Sequence, residues 1–396
     1  MQTLTEEQKS LLIDGPIPTF AAIWIAVVGV IAYMFLPLMV GGLADDLGFN
    51  NTQLGFIGAA EAGGMGIANA LAVFFVRRWN WRVIIFISGL AMVFTNLWSA
   101  SVDTFALIFI ARLVDGFAGG VLIALGVACQ SDNKNANKVF GYFIATEMIF
   151  ASIGFYLLPD IQADFGVDGI FYALALISIT GTLMAFFHPA QGIDRKQHAE
   201  NKGVGTTTVL FATVALMGAL LFFMSQGGLW TFVERIGVAS NLTASDIGLA
   251  LTVSSAFGVI GALGANWTSQ RIGQLNAFIL VLVGEIICIT MLYGSLELWR
   301  YFSSLCLFIM FWSMGLPLML SQFNVLDRTG HLVVLLYAMG KLGYTLGPAI
   351  MGLLIFGADF FYVITLGLVL SIVGLAVFIG LSIKSSITST IKSELA

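Results

Sequence analysis

The chain has 396 residues, 59% hydrophobic and only 10% charged, where soluble domains carry roughly a quarter charged. That balance excludes an ordinary soluble globule and implies a polytopic membrane protein. The net charge of −5 identifies no partner, since the placement of charge outweighs its sum in such a chain, and nothing in it points to nucleic acid. Cys129, Cys288 and Cys306 sit in or beside apolar runs without CxxC or metal spacing, so they read as packing residues. No metal and no cofactor is expected.

Repeated apolar runs of about 20 residues predict α-helical spans, because lipid forbids unpaired backbone and a β-barrel would alternate in segments of about ten. Residues 1–16 are polar and lack the basic start and cleavage site of a secretory signal, so a short cytoplasmic tail is expected. Span 1 covers about 17–43 and contains Tyr33 and Pro37, the proline predicting a kink. Span 2, about 52–76, holds Glu61 among glycines, and the turn RRWNWR leads to span 3 at about 83–100. Span 4, about 104–129, carries Arg112 and Asp115 within apolar sequence, three residues apart and hence nearly on one helical face. Charge at that depth costs about 2.5–3.5 kcal/mol per residue on insertion scales, so such groups face a bundle interior or a wet pathway. Gly116, Gly120, Ala124 and Ala128 repeat at four-residue spacing on the same span and predict a close helix contact. Span 5, about 139–158, holds Glu147, and span 6 occupies about 169–187.

The segment 189–207 is the longest polar interruption and divides the chain into a six-span bundle at 1–188, a cytoplasmic linker at 189–207 and a second six-span bundle at 208–396. Span 7 at about 208–233 carries Gln226, and span 8 runs over about 245–269. Span 9 at about 275–294 carries Glu285, and span 10 covers about 299–323. Span 11 at about 331–356 carries Lys341, and span 12 at about 360–383 leads into a Ser/Thr/Lys tail. Of the 17 Lys and Arg, all but Arg112, Lys341, Arg235 and Arg300 fall on one side, which predicts both termini in the cytoplasm. The stretch NTQLGF before span 2 returns as ASDIGL before span 8, Gly55 matching Gly248, and Glu147 of span 5 matches Lys341 of span 11 at nearly the same offset. Two six-helix units in one orientation imply a solute path between them. In the outer loops, Thr52 and Thr243 serve as helix-cap candidates.

Twelve spans, the repeat, a basic loop after span 2, the fourth-span pattern of Arg112 followed by Gly116, and GKLGYTLGPAIMG in span 11 together resemble the major facilitator superfamily of transporters. The family's usual G-x-x-x-D-R-x-G-R-R loop reads FFVRRWNWRV here, with Arg77 in the acidic position, while Arg78 and Arg82 stay basic. The second-half counterpart, SQRIGQ, keeps Arg271 and Gly273. The resemblance implies an all-α membrane protein that works by alternating access, with spans 1, 4, 7 and 10 lining the path. It implies gating by Arg78, Arg82 and Arg271, and solute binding or proton coupling by Glu61, Arg112, Asp115, Glu147, Lys341, Tyr33 and Gln226. The structural alternatives are an Arg112–Asp115 pair that only holds helices together, a Glu61 tied to polar neighbours, and a Glu147–Lys341 latch. Glu285 reads as an interhelical hydrogen-bonding group.

No HExxH, GxSxG or Walker loop occurs, and an enzyme is not expected. The expected activity is proton-coupled movement of a small organic solute, carrying a carboxylate or other anionic group, across a bacterial inner membrane by a monomer. An efflux antiporter for amphipathic or cationic compounds is the alternative, and a membrane sensor or scaffold that has lost transport is the third. The partners are then the solute, protons and the lipid bilayer.

Overall fold

The computed structural model describes residues 13–193, 206–326 and 331–394. Among these are eleven α-helices and no strand, arranged in two compact units, Met1–Gln197 and His198–Ala396. The first unit contains α1 (Pro16–Met34), α2 (Leu36–Leu47), α3 (Asn51–Phe75), α4 (Trp81–Ser99), α5 (Phe105–Asp132) and α6 (Ala136–Leu183), closed by a 3₁₀ turn at Met184–Phe186. The second contains α7 (Thr206–Ala239), α8 (Ala244–Thr290), α9 (Leu298–Leu326), α10 (His331–Gly352) and α11 (Phe361–Glu394).

The count of eleven differs from the twelve expected spans for backbone reasons. The first apolar run is broken at Phe35, where Pro37 opens α2 and supplies the expected kink. Spans 5 and 6 run together as α6, since Pro159 sits inside the helix and the reversal waits for Gly166, at φ 64° and ψ −162°. The Val167 N–H donates to the Asp46 carboxylate at 2.5 Å, which docks that turn on the end of α2. Spans 8 and 9 run together as α8 and turn at Gly273, at φ 84° and ψ 159°. Both turns need a backbone that only glycine adopts without strain. The Ser/Thr/Lys tail expected after span 12 continues α11 as helix to Glu394.

The two units start their second spans alike. The side chain of Asn50 accepts from the Gln53 N–H while Gln53 reaches back to the Asn50 N–H, and Thr243 and Asp246 form the same reciprocal cap on α8. Positions 50 and 243 keep the spacing that relates Gly55 to Gly248, so the repeat extends to the caps. Thr243 fills the role expected of it; Thr52 does not, because Asn50 precedes it with a better acceptor at the helix entrance.

In the first unit α5 is central, with α3 and α4 along one side and α1 along another. Gly116 and Gly120 press on α3, where an added methyl would run into the Glu61 carbonyl and come within 2.8 Å of Met65. Gly119 and Gly126 press on α1 at Gly29 and Ala26. In the second unit α10 and α11 pack along α7, and α9 packs along α8. Its core is aromatic, with Phe278 stacked on Phe378 at 5.3 Å and Phe323 edge-on to Phe378 at 6.2 Å. The outward faces are apolar instead of charged: Phe94, Leu176 and Leu263 are exposed. Eight of the described helices are long and apolar enough to cross a membrane, and a surface of that kind is matched by hydrocarbon, not water.

Candidate functional site

Three helices and a ring meet around Arg112. The guanidinium lies on α5 with 0% of its surface exposed, as does Asp115 one turn on, and Glu61 of α3 is 1% exposed. One guanidinium nitrogen, Nη1, stands 3.5 Å from the Asp115 carboxylate and 3.9 Å from that of Glu61. The other, Nη2, donates to the Ser99 hydroxyl at 2.9 Å and to the Thr95 carbonyl at 3.3 Å, both on α4. The face of Phe171, on the second half of α6, lies 5.1 Å from the guanidinium carbon. Asp115 is held from the opposite side, its Oδ1 accepting from the Thr95 hydroxyl and the Asn96 amide, each at 2.7 Å. Among the described residues no such neutral donor is seen on Glu61, and its link to the cluster is the longer contact with Arg112. The two carboxylates therefore differ, one fixed by three groups and the other by charge alone.

Glu61 of span 2 and Arg112 of span 4, two of the residues expected to bind solute or couple protons, thus meet. The cluster's contacts come from α3, α4, α5 and α6, and its three charged side chains are buried among them. Thr95, Asn96, Ser99 and Phe171 are partners that sequence reasoning missed. The first three recur at i, i+1 and i+4 on an otherwise apolar span, a small polar face that was the available signal.

The second unit brings together different chemistry. Gln226, on α7, donates its amide to the Glu285 carboxyl at 3.1 Å, and the Ser371 hydroxyl on α11 donates to the same oxygen at 3.1 Å. Gln226 and Glu285 are both 0% exposed, and the glutamine that the sequence offers as a solute contact is bonded here to a neighbouring helix. One turn along α7, Trp230 lies 5.6 Å from Trp312 of α9, whose indole N–H donates to the Tyr344 hydroxyl at 2.9 Å. Lys341, half-buried one turn before Tyr344, holds its ammonium 5.8 Å from that ring. Glu147 is half-buried on α6, and Tyr33 is buried on α1. Among the described residues no group of His, Cys, Asp and Glu is arranged to hold a metal ion.

The profile of the Major Facilitator Superfamily matches residues 21–326. The chain belongs to that superfamily. No curated protein sequence matches it. Solved structures of the superfamily fold do: a variant of the nucleoside transporter NupG, at TM-score 0.76 and 13% identity over 92% of this chain and 99% of that one. The NupG crystal structure without that substitution gives TM-score 0.71 at 14% identity over 93% and 99%. A bacterial homologue of the human lysosomal transporter Spinster, in an inward-facing and unoccupied conformation, gives TM-score 0.62 at 12% identity over 96% and 98%. As a member of the superfamily the chain is a multi-pass membrane protein with a transporter fold.

For a superfamily member the α3–α4 turn departs from pattern in a definite way. Arg77, in the position the family fills with an acidic residue, makes a two-pronged ion pair with Asp132 at the end of α5, with Nη2 at 2.9 Å from Oδ1. Asp132 also accepts from the Ile193 N–H at 3.0 Å, and Arg77 donates to the Ile193 carbonyl at 3.1 Å. Arg82 donates to the His188 carbonyl at 2.6 Å, and the Trp81 N–H to Ala190 at 2.8 Å. The segment 188–193 is thereby strapped across the ends of α4 and α5. Of the residues expected to gate, Arg82 belongs to this strap and Arg78 is exposed beside it. Arg271 lies 5.9 Å from the Trp267 ring, while the second-unit turn is tied instead by Gln274, which donates to the Leu318 carbonyl at 2.8 Å. His188 is fully buried against Trp81, and that burial, assisted by the Arg82 charge, pushes its imidazole down to about 4. Neither Asp132 nor His188 was singled out by sequence: each reads as an ordinary polar residue at a span end.

Proposed function

We propose that this superfamily member is a proton-coupled secondary transporter of a small organic solute, preferably one with a carboxylate or other anionic group. The observation that carries the reading is the wholly buried Arg112–Glu61–Asp115 cluster, in which two acids compete for one cation. Asp115 has neutral donors that stabilise its charge when Arg112 turns elsewhere. Glu61 depends on Arg112, so it is the acid we assign to take up and release the proton. Lys341 supplies positive charge beside an aromatic corner, which suits an anionic group on a partly apolar body. Twelve crossings follow if α1 and α2 count as one span and α6 and α8 as two each. With the Lys/Arg distribution this puts both termini in the cytoplasm of a cell with a single energised inner membrane, the chain acting as a monomer by alternating access.

The aromatic corner also supports a second reading, efflux of planar amphipathic compounds, in which the same rings stack on the cargo and the acids attract its charge. Flux into proteoliposomes under an imposed proton gradient separates the readings, with a panel of carboxylates, amino acids, sugars, nucleosides and dyes. The expected result is gradient-driven movement of an anionic solute, cut at least about tenfold by Lys341→Ala, an effect of about 1.4 kcal/mol. Glu61→Gln is expected to keep solute exchange and lose gradient-driven accumulation. Export of a cation that is indifferent to Lys341→Ala would favour the second reading, and absence of flux for the whole panel would leave a sensor or scaffold.

A further inference from the structure

Glu285 is a fully buried acid that the proposed mechanism leaves unused. It lies on the second half of α8 with no exposed surface, and every group that touches its carboxyl is neutral: the Gln226 amide from α7 and the Ser371 hydroxyl from α11, both on Oε2. Among the described residues its Oε1 has no hydrogen-bond partner, and neither has Oε1 of Gln226. Of the described charged residues on the elements packed around it, Glu234 and Arg235 pair with each other two turns beyond Gln226 on α7, and Arg300 of α9 donates to the Tyr293 and Ser295 carbonyls. From α9 come the Phe311 ring, against Gly284, and Ser304, which donates to the Cys288 carbonyl at 2.7 Å. On its own helix the titratable neighbour is Cys288, whose thiol points to the Glu285 backbone carbonyl at 3.3 Å. A carboxylate ion cut off from water and from any cation costs several kcal/mol, and such a group escapes that cost by holding a proton.

We propose that Glu285 is a proton-binding site of the second unit, linked through Gln226 to the aromatic corner. The link is short and covalently continuous along α7. Gln226 binds the acid, Gly227 beside it packs on the backbone of Tyr344, and Trp230 one turn on meets Trp312. Loss of the proton puts a full charge on the group that Gln226 holds. The amide is then drawn closer, and the register of α7 against Tyr344 changes with it. A proton bound at Glu285 thus sets the shape of the surface formed by Trp230, Trp312 and Tyr344. This does not depend on Glu61, and it stands or falls without any solute being known.

The test is infrared difference spectroscopy of the purified full-length protein in lipid, stepped between about pH 5 and about pH 9. The neutral acid's carbonyl stretch is expected at low pH, to vanish as pH rises, and to be absent from Glu285→Gln. Ser371→Ala, a milder change, is expected to keep the band and shift its frequency, because one donor is gone. The tryptophan fluorescence should titrate in step in the native protein, lose that titration in Glu285→Gln, and lose the reporting signal in Trp312→Phe. A hydrogen-bonded tether with no proton traffic would give the native protein and Glu285→Gln identical pH-difference spectra, and that result overturns the proposal. Loss of the band on adding sodium ions at fixed pH also overturns it, in favour of a metal-cation site. A fluorescence titration that survives in Glu285→Gln removes the link to the aromatic corner.

Discussion

Arg112 balances two acids that no water reaches, so its removal is more serious than the loss of one contact. Arg112→Ala leaves Glu61 and Asp115 buried without a cation and is expected to cost about 3–5 kcal/mol of stability. Replacing the set together, with Arg112→Met, Glu61→Gln and Asp115→Asn, should recover most of it, since neutral groups of similar volume need no counter-charge. Thermal unfolding of the purified protein in detergent measures both. His188 gives a pH signature of its own. Its folded value, about 4, lies below the unfolded value of about 6.5, so protons prefer the unfolded chain. Stability is therefore full above about pH 6.5 and declines as pH falls through that value towards 4, by about 3 kcal/mol in all. His188→Leu should flatten this part of the pH–stability curve. At this scale the charged half of the cluster was legible in the sequence, because Arg112 and Asp115 stand out against apolar neighbours. Its neutral half was not: Thr95, Asn96 and Ser99 look like background polar residues until α4 is known to turn them onto α5. Gln226 was read as a solute contact because polarity on a span signals a partner without saying which.

Among the helices, α5 shows what close approach demands. Gly116 touches the backbone of Glu61 with no room for a methyl group, so Gly116→Ala forces α3 and α5 apart. That overpacking is expected to cost about 1–3 kcal/mol and to move Glu61 away from Arg112. Gly141, near the start of α6, has open space around it. Gly141→Ala should be neutral or stabilise by about 0.5–1 kcal/mol, through helix propensity alone. Melting temperatures of the two variants, measured side by side, decide whether spacing or propensity rules. The small-residue stripe through Gly116 and Gly120 was visible in the sequence as a four-residue period. The second stripe through Gly119 and Gly126 was not, because two overlapping glycine faces on one helix blur into general glycine richness. The two turns made by a single glycine lie where the sequence separates its spans, and the helices run closer to the turn than the apolar runs do. Gly166 and Gly273 fall inside the polar gaps PDIQADFGVD and TSQRIGQLN that separate spans 5 and 6 and spans 8 and 9, and the helices simply run on through those residues to the glycine.

For the molecule as a whole, the repeat was the most legible feature, since matching caps at Asn50 and Thr243 record the same local geometry twice. The family was legible as a resemblance carried by the twelve spans, the repeat, the basic loop after span 2, the Arg112–Gly116 pattern and GKLGYTLGPAIMG; the solute was not, because the side chains proposed to meet it are common aromatics and one lysine. The proposed topology can be checked on the membrane-embedded protein with single cysteines in a background lacking Cys129, Cys288 and Cys306. One at Trp79, in the α3–α4 turn, should react with an impermeant reagent only from the cytoplasmic face. One at Asn241, between α7 and α8, should react only from outside.

The strap formed by residues 188–193 fixes where the first unit ends. Arg77, Trp81, Arg82 and Asp132 fasten the exit of the first unit to its own helix ends with ionic and backbone bonds. The folded boundary of the first unit therefore lies at Ile193: a version cut before His188 would leave the Arg82 side chain, the Trp81 backbone N–H and the Asp132 carboxylate each short of a partner.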